Sequence, residues 1–352
     1  MQLHNLIDRK VLIENLMSEK FTRKTISFYR YIIIDNPREF RDQLYSKWSG
    51  MNCFGRVYIA REGINAQMSV PEERRADFLL SLNNDPILDQ IPVKYAIEDN
   101  GKSFYKLSIK VKAKLVADGL DDDAFDVTNV GRHLDAKEFH DLVGSGKHIV
   151  VDMRNHYESE IGHFKGAVCP EADTFREELT MVTELLKDQK EAKILIYCTG
   201  GIRCEKASAY LKHHGFKDVN QLHGGILEYA GKIKQLNLSS HFTGKNFVFD
   251  GRMGESVDGQ VIAKCHQCGK PCDVHSNCAN ELCHLLFIQC SECAGRFDGC
   301  CSKECCDQKN ASENEPAIIR KGIGNKSGDG DVYRKSFRLA LKSEHAVAGS
   351  SE

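Results

Sequence analysis

Lys193-Ile-Leu-Ile-Tyr-Cys198-Thr-Gly-Gly-Ile-Arg203 carries an apolar run straight into a cysteine, a glycine pair and an arginine. Ile194 to Tyr197 are apolar without alternation, which suits a strand covered on both faces. The stretch from Arg203 to His214 is amphipathic and reads as a helix, so Cys198 sits at the carboxyl end of a strand. The glycines let successive backbone N–H groups converge, and the helix amino terminus and Arg203 add positive potential. A thiolate is stabilised in such a loop, giving Cys198 nucleophilic character near neutral pH. A buried cysteine before a helix-capping turn is the plain structural alternative, and it leaves the arginine without a purpose.

Working outward, strands and helices alternate from about Asn129 to Leu236: a strand His148 to Asp152, a helix Thr174 to Asp188, the Lys193 strand, the Arg203 helix and a strand Val219 to Leu222. That order predicts a parallel sheet with helices on both faces and functional loops at the strand carboxyl ends. Upstream, Thr25 to Lys114 reads strand, helix, strand, strand, helix, strand, strand: Thr25 to Ile34, a helix opening at Asn36 with Pro37 in its first position, Gly55 to Ala60, Asn65 to Val70, a helix from Pro71 to about Leu82, Val93 to Ile97 and Phe104 to Val111. This is the order of a ferredoxin-like α/β sandwich, a fold that says little about function. The acidic run Asp121-Asp122-Asp123 marks a linker. The expected organisation is α/β multidomain: a ferredoxin-like domain over 22–118, a parallel-sheet domain over 129–240, a small cysteine-rich module over 241–307 and a disordered polar tail over 308–352.

The chain has 352 residues, 41% of them hydrophobic, and no apolar run beyond strand length, so no membrane span is expected. The first residues, with Asp8, Arg9, Lys10, Glu14 and Lys20, lack the apolar core of a secretory signal, which points to the cytoplasm. There the fifteen cysteines are better read as metal ligands and catalytic thiols than as disulfides. A net charge of −2 gives no global attraction to polyanions, so binding to nucleic acid must come from a local basic surface. Lys102, Lys106, Lys110, Lys112 and Lys114 all occupy even positions and would share one face of an unbroken strand. A solvated edge strand protected by lysines is the competing reading.

Eleven cysteines crowd between Cys265 and Cys306. Cys265-His-Gln-Cys268 and Cys290-Ser-Glu-Cys293 are paired knuckles suited to one tetrahedral ion, with Cys278, Cys283, Cys301 and Cys305 the second grouping. Cys272, His275, His284, Cys300 and Cys306 compete for places in that second set. Structural zinc is the expected metal, and an iron–sulfur cluster is the alternative.

The cysteine loop resembles the rhodanese family. Val151-Asp152-Met-Arg154 with Glu158, Gly162, His163, Gly166 and Ala167, and the later Gly224-Gly225-Ile226, are similar to that family's other motifs. The resemblance implies Cys198 as nucleophile and persulfide site, with Arg203 and the amides of Thr199, Gly200, Gly201 and Ile202 as an anion cradle. It suggests support from Asp152, Arg154 and His163, although the first two could simply pair and the third hydrogen-bond in a turn. The six-residue loop has the size associated with sulfurtransferases; the related phosphatases carry one residue more. Cys204 is read as a buried helix residue, with a resolving thiol as the alternative.

Longer strings resemble a narrower family, the bacterial tRNA wobble-uridine hydroxylases: Thr25-Ile-Ser-Phe-Tyr, Phe54-Gly-Arg-Val-Tyr, Arg61-Glu-Gly-Ile-Asn-Ala-Gln, Asp152-Met-Arg-Asn-His-Tyr-Glu, Cys198 through Ala209, Gly244-Lys-Asn-Phe-Val-Phe-Asp and the cysteine block. This resemblance implies tRNA as partner and substrate, conversion of uridine 34 to 5-hydroxyuridine, and molecular oxygen as co-substrate. Lys106, Lys110 and Lys112 are then the expected RNA contacts. Neither a two-histidine, one-carboxylate iron triad nor a dinucleotide fingerprint stands out, so no nucleotide cofactor is expected. No obligate protein partner is expected either. The main rival is a plain sulfurtransferase working through a Cys198 persulfide; a non-catalytic RNA adaptor is disfavoured by the intact Cys198 and Arg203.

Overall fold

A computed structural model describes residues 7–120 and 125–313. The linker expected at Asp121–Asp123 and the tail beyond residue 313 lie outside the described residues. What is described falls into two compact units, one within Met1–Ser159, His163–Phe242 and Asn246–Val257, the other within Glu160–Gly162, Thr243–Lys245 and Asp258–Glu352.

The first unit opens with helix α1 (Arg9–Ser18) and continues β1 (Arg23–Tyr31), α2 (Pro37–Gly50), β2 (Phe54–Ala60), β3 (Gly63–Pro71), α3 (Arg75–Asn83), β4 (Lys94–Tyr95) and β5 (Leu107–Val111). Its sheet has the order β4-β1-β3-β2-β5; β1 is antiparallel to β3 and β4, β2 is antiparallel to β3, and β5 lies parallel to β2. This is the ferredoxin-like order with a fifth strand on one edge. Asn36 caps α2 by accepting from the Glu39 N–H, and Pro37 takes the first turn, where its missing donor costs nothing. Phe40, Leu44 and Trp48 of α2 and Phe78 and Leu82 of α3 close on Ile26 and Phe28 of β1. Trp48 stands edge-on to Phe28 at 6.2 Å, and each such side chain, once buried, contributes about 1.5–3 kcal/mol. Side chains alternate along a strand, so the opposite face of β1 presents Ser27, Tyr29 and Tyr31.

The chain then forms β6 (Arg132–Leu134), α4 (Ala136–Gly144), β7 (Ile149–Asp152), α5 (His156–Ser159), β8 (Gly162–Phe164), α6 (Phe175–Leu185), β9 (Lys193–Tyr197), α7 (Ile202–His213), β10 (Asp218–Leu222), α8 (Gly225–Gln235), β11 (Phe242–Asn246) and β12 (Glu255–Ser256). The order β6-β10-β9-β7 is parallel throughout. Ile194 and Ile196 of the central β9 pack under α6 and α7, while Leu195 and Tyr197 pack under α4 and α8. The unalternating apolar run in β9 reflects that double coverage.

The second unit holds β13 (His275–Asn277) antiparallel to β14 (Leu286–Ile288), then α9 (Ser291–Arg296) and α10 (Lys303–Glu313). One cluster of its core packs Leu285 and Phe287 with Cys278, Cys300, Cys301 and Cys305, and Ile288 is buried as well. A core of this size contributes little stability of its own.

Three expectations need correction. The helix placed from Pro71 begins with a 3₁₀ turn, Glu72–Arg74, because Pro71 still closes β3 opposite Arg23. The strand placed over Phe104 to Val111 begins only at Leu107, so Lys106 lies outside it, as do Lys102, Lys112 and Lys114, and of the five lysines Lys110 alone is in the strand. The tail placed from Gln308 is helical over its first six residues, since α10 runs through to Glu313. Among the described residues no helix is long and apolar enough to cross a membrane.

Candidate active site

Cys198 leaves β9 fully buried and turns through Thr199, Gly200 and Gly201 into α7. Gly201 caps that helix at φ +100°, a conformation that glycine tolerates and other residues resist. Its N–H donates to the Cys198 sulfur at 3.1 Å. Gly225 is required for a different reason: a Cβ there would stand 2.5 Å from the Cys198 carbonyl oxygen. That carbonyl accepts from the Ile226 N–H at 3.0 Å, tying the loop to the start of α8.

Burial raises the Cys198 pKa, yet the Cys204 thiol, the Arg203 guanidinium and the N–H groups of Cys204 and Gly201 outweigh it and bring the group down to about 6. Cys204 is itself buried, and its thiol is pushed up by burial and by the neighbouring sulfur, so it stays protonated and donates. At neutral pH the pair is a thiolate beside a thiol.

Arg203 does not project freely as an anion clamp. Its Nη1 and Nη2 fork onto Glu158 at 2.6 and 2.8 Å, with Nη2 also 3.4 Å from the Thr199 hydroxyl. Asp152 and Arg154 engage each other through two hydrogen bonds of 2.8 and 2.6 Å, both residues fully buried, and the Tyr197 hydroxyl donates to Asp152 at 2.8 Å. His163 Nδ1 lies 2.8 Å from the Ser159 carbonyl. Asp152 and Arg154 thus hold each other beside Tyr197, and His163 bonds within its own turn. Ile202 opens α7; the N–H groups of Thr199 and Gly200 have no acceptor among the described residues.

The ferredoxin-like part supplies residues that the sequence left without a role. The Tyr29 hydroxyl donates to Glu205 of α7 at 3.0 Å and lies 2.8 Å from where a Gly201 Cβ would be. Tyr31 donates to the Ile202 carbonyl at 3.4 Å. Lys206 of α7 reaches across to Glu62 at 2.9 Å and Asp118 at 2.6 Å. The period-two pattern of β1 showed which residues share a face, but nothing local said that this face meets the cysteine loop.

The expected RNA-binding lysines divide. Lys106 is exposed and lies 5.7 Å over the Tyr105 ring; Lys110 and Lys112 line an open depression together with Arg38 and Arg41 of α2. The strand end and the helix bring four cations together where the even-position count had offered a straight stripe.

In the second unit the sulfurs of Cys265, Cys268, Cys290 and Cys293, and separately of Cys278, Cys283, Cys301 and Cys305, all lie within 4.8 Å of one another. Three of the separations are 3.7 Å (Cys268–Cys290), 3.6 Å (Cys278–Cys305) and 3.8 Å (Cys283–Cys301). Four sulfurs at about 2.3 Å from a tetrahedral ion are roughly 3.8 Å apart, so both sets fit a single ion of that kind. Cys272, His275, His284, Cys300 and Cys306 belong to neither set.

Comparison with known proteins follows the same divisions. Residues 23–115 match the family model described as UPF0176 acylphosphatase like domain, 135–232 the rhodanese-like domain, and 243–306 the rhodanase C-terminal model. The tRNA uridine(34) hydroxylase of Leptospira interrogans is 54% identical over 325 residues, 92% of this chain and 89% of the relative. That of Hamiltonella defensa is 52% identical over 92% of each chain. That of Yersinia pestis is 50% identical over 344 residues, 97% of this chain and 96% of the relative. A solved rhodanese-like domain from Anabaena sp. overlays 32% of this chain and 78% of its own at 20% identity, with a TM-score of 0.26.

Proposed function

This chain belongs to the tRNA uridine(34) hydroxylase family, and from that premise we propose that it converts the wobble uridine of tRNA to 5-hydroxyuridine in the cytoplasm, with Cys198 as nucleophile and dioxygen as oxidant. The observation that carries the mechanism is the buried Cys198 sulfur, which receives the Gly201 N–H and is brought down to about 6.

Attack of the thiolate on C6 places an electron pair on the C5–C4–O4 system, which gives C5 the carbanion character needed to react with oxygen. One oxygen atom enters at C5. The other leaves as water, taking two electrons from a thiol reductant that becomes a disulfide. Loss of the C5 proton then expels Cys198 and restores the double bond. The Arg203 guanidinium, held in place by Glu158, lowers the pKa of the sulfur, so the thiolate persists near neutral pH and leaves readily.

The two four-cysteine sets hold structural zinc, which supplies the folding energy that the small core of the second unit lacks. Lys106, Lys110 and Lys112 bind tRNA phosphates.

Mass spectrometry of tRNA nucleosides tests the reading. Cys198→Ala should abolish 5-hydroxyuridine in a folded protein, since it removes the nucleophile and little packing volume. Wild-type levels of the product from that variant would remove Cys198 from the mechanism. Depletion of thiolated nucleosides with 5-hydroxyuridine intact would instead favour sulfur transfer through a Cys198 persulfide.

A further inference from the structure

Lys94 sits on the two-residue strand β4, where nothing in the sequence marks it. In the antiparallel pairing Ser27 stands opposite Lys94, so Lys94 and Tyr29 are diagonal neighbours on the face of β1 that meets the cysteine loop. Its ammonium lies 4.4 Å over the Tyr29 ring. The residue is 7% exposed, and the Tyr29 ring is what its ammonium faces. Burying a cation against an aromatic face costs stability, and such costs persist at sites where another charge is to be received.

A short path joins this ammonium to the nucleophile. From Lys94 it runs to Tyr29, whose hydroxyl lies against Gly201, whose N–H donates to the Cys198 sulfur. β4 also packs on α8, the helix whose first residues hold the Cys198 carbonyl. Three further groups act on the Lys94 charge: the Cys198 sulfur, Glu228 of α8 and Glu205 of α7. The loop is open at Gly200, where an added Cβ would meet nothing within 4 Å.

We infer that Lys94 is a further catalytic residue, whose ammonium receives the O4 oxygen of the wobble uracil as negative charge develops there. The inference rests on the nucleophilic reading of Cys198. As the sulfur–C6 bond forms, the C5=C6 pair shifts toward C4 and the C4=O4 pair moves onto oxygen. One unit of negative charge thus passes from sulfur to O4, with no proton lost and no change of oxidation state. A fixed ammonium in a water-poor site stabilises that charge far more than water-exposed cations do. Burial, offset in part by Cys198, Glu228 and Glu205, lowers the Lys94 pKa to about 8, so the cation is present at neutral pH and lost above it.

The experiment compares wild type, Lys94→Met and Lys94→Arg in single turnovers on tRNA. Lys94→Met should lower the rate at saturating tRNA by about 100-fold, the scale of losing one oxyanion donor, with tRNA affinity within about 3-fold of wild type. The wild-type rate should fall as pH rises through about 8, whereas Lys94→Arg should keep its rate there because guanidinium does not titrate. Alkylation of Cys198 across pH, in protein without tRNA, should show a higher midpoint in Lys94→Met, a readout independent of any hydroxylase activity. A Lys94→Met rate within about 3-fold of wild type overturns the inference, as does weakened tRNA binding at unchanged turnover, which would make Lys94 a phosphate anchor. Should Lys94→Met fail to fold, Lys94→Arg decides alone: a descending limb still at pH 8 overturns the role. Cys198→Ala run in parallel reports on the nucleophile separately.

Discussion

Arg203 and Glu158 meet end to end, Nη1 on Oε1 at 2.6 Å and Nη2 on Oε2 at 2.8 Å, one at the start of α7 and the other in the short α5. Glu158 is fully buried and the Arg203 side chain nearly so, which makes the pair depend on both members. Glu158→Gln leaves an uncompensated buried guanidinium, and we expect a loss of about 3–5 kcal/mol in urea unfolding. The same change frees the Arg203 charge to act on the sulfur alone. In folded protein the midpoint for Cys198 alkylation should therefore drop below about 6.

The pKa of Cys198 also enters the stability curve. Its folded value, about 6, lies below the ordinary 9.0, so its contribution is fully present above pH 9 and is lost as pH falls through 6. Thermal melts of wild type and Cys198→Ser should diverge between pH 6 and 9, with wild type gaining as pH rises. Parallel curves over that window would show that the sulfur carries no stabilised charge.

Glu178 should behave in the opposite sense. It is fully buried in α6, neither carboxyl oxygen has a hydrogen-bond partner among the described residues, and burial pushes its pKa well above 4.5. The folded state therefore holds a proton that the unfolded state releases, and stability falls as pH rises above 4.5. Glu178→Gln keeps the shape and removes the titration. Its stability should exceed that of wild type at pH 8 and match it more closely at pH 4.

For the basic surface, the triple variant Lys106→Gln, Lys110→Gln, Lys112→Gln should raise KM for tRNA more than it lowers kcat. For every lysine–phosphate pairing removed, the logarithmic salt dependence of affinity should flatten by about one unit of slope. Arg38→Gln should act in the same direction, because Arg38 lines the same depression as Lys110 and Lys112. An unchanged affinity and slope across a salt series would move the RNA surface elsewhere.

Metal analysis of purified protein should find about two zinc ions per chain by ligand count. Cys290→Ser should remove one ion and Cys301→Ser the other, because the two cysteines belong to different sets. Chelation should unfold the second unit, visible as faster proteolysis after residue 257, since its small core cannot hold without the ions.

Much of this was readable along the chain. The apolar run Ile194 to Tyr197, the glycine pair and the following amphipathic helix are local signals, and the structure has that strand, loop and helix within a residue or two of where they were placed. The succession of elements in the ferredoxin-like part and the first four-cysteine set were equally legible, because strand periodicity and knuckle spacing are short-range properties, whereas the second set was read with five other residues competing for its places. The lysine stripe misled for the same reason: even spacing implies a shared face only within an unbroken strand, and β5 begins at Leu107.

What sequence by itself determined is therefore the main strands and helices, the cysteine loop and the cysteine spacing that the four-sulfur groupings need. Tertiary structure alone decided what surrounds Cys198. Glu158 lies 45 residues before the arginine it holds, and Tyr29 reaches Glu205 across 176 residues of chain. Lys94 comes to the cysteine loop only because β4 pairs with β1 and that face of the sheet closes on α7 and α8. Such neighbours leave no local periodicity to read, since they are fixed by how a sheet face packs on two helices and not by the preferences of adjacent residues.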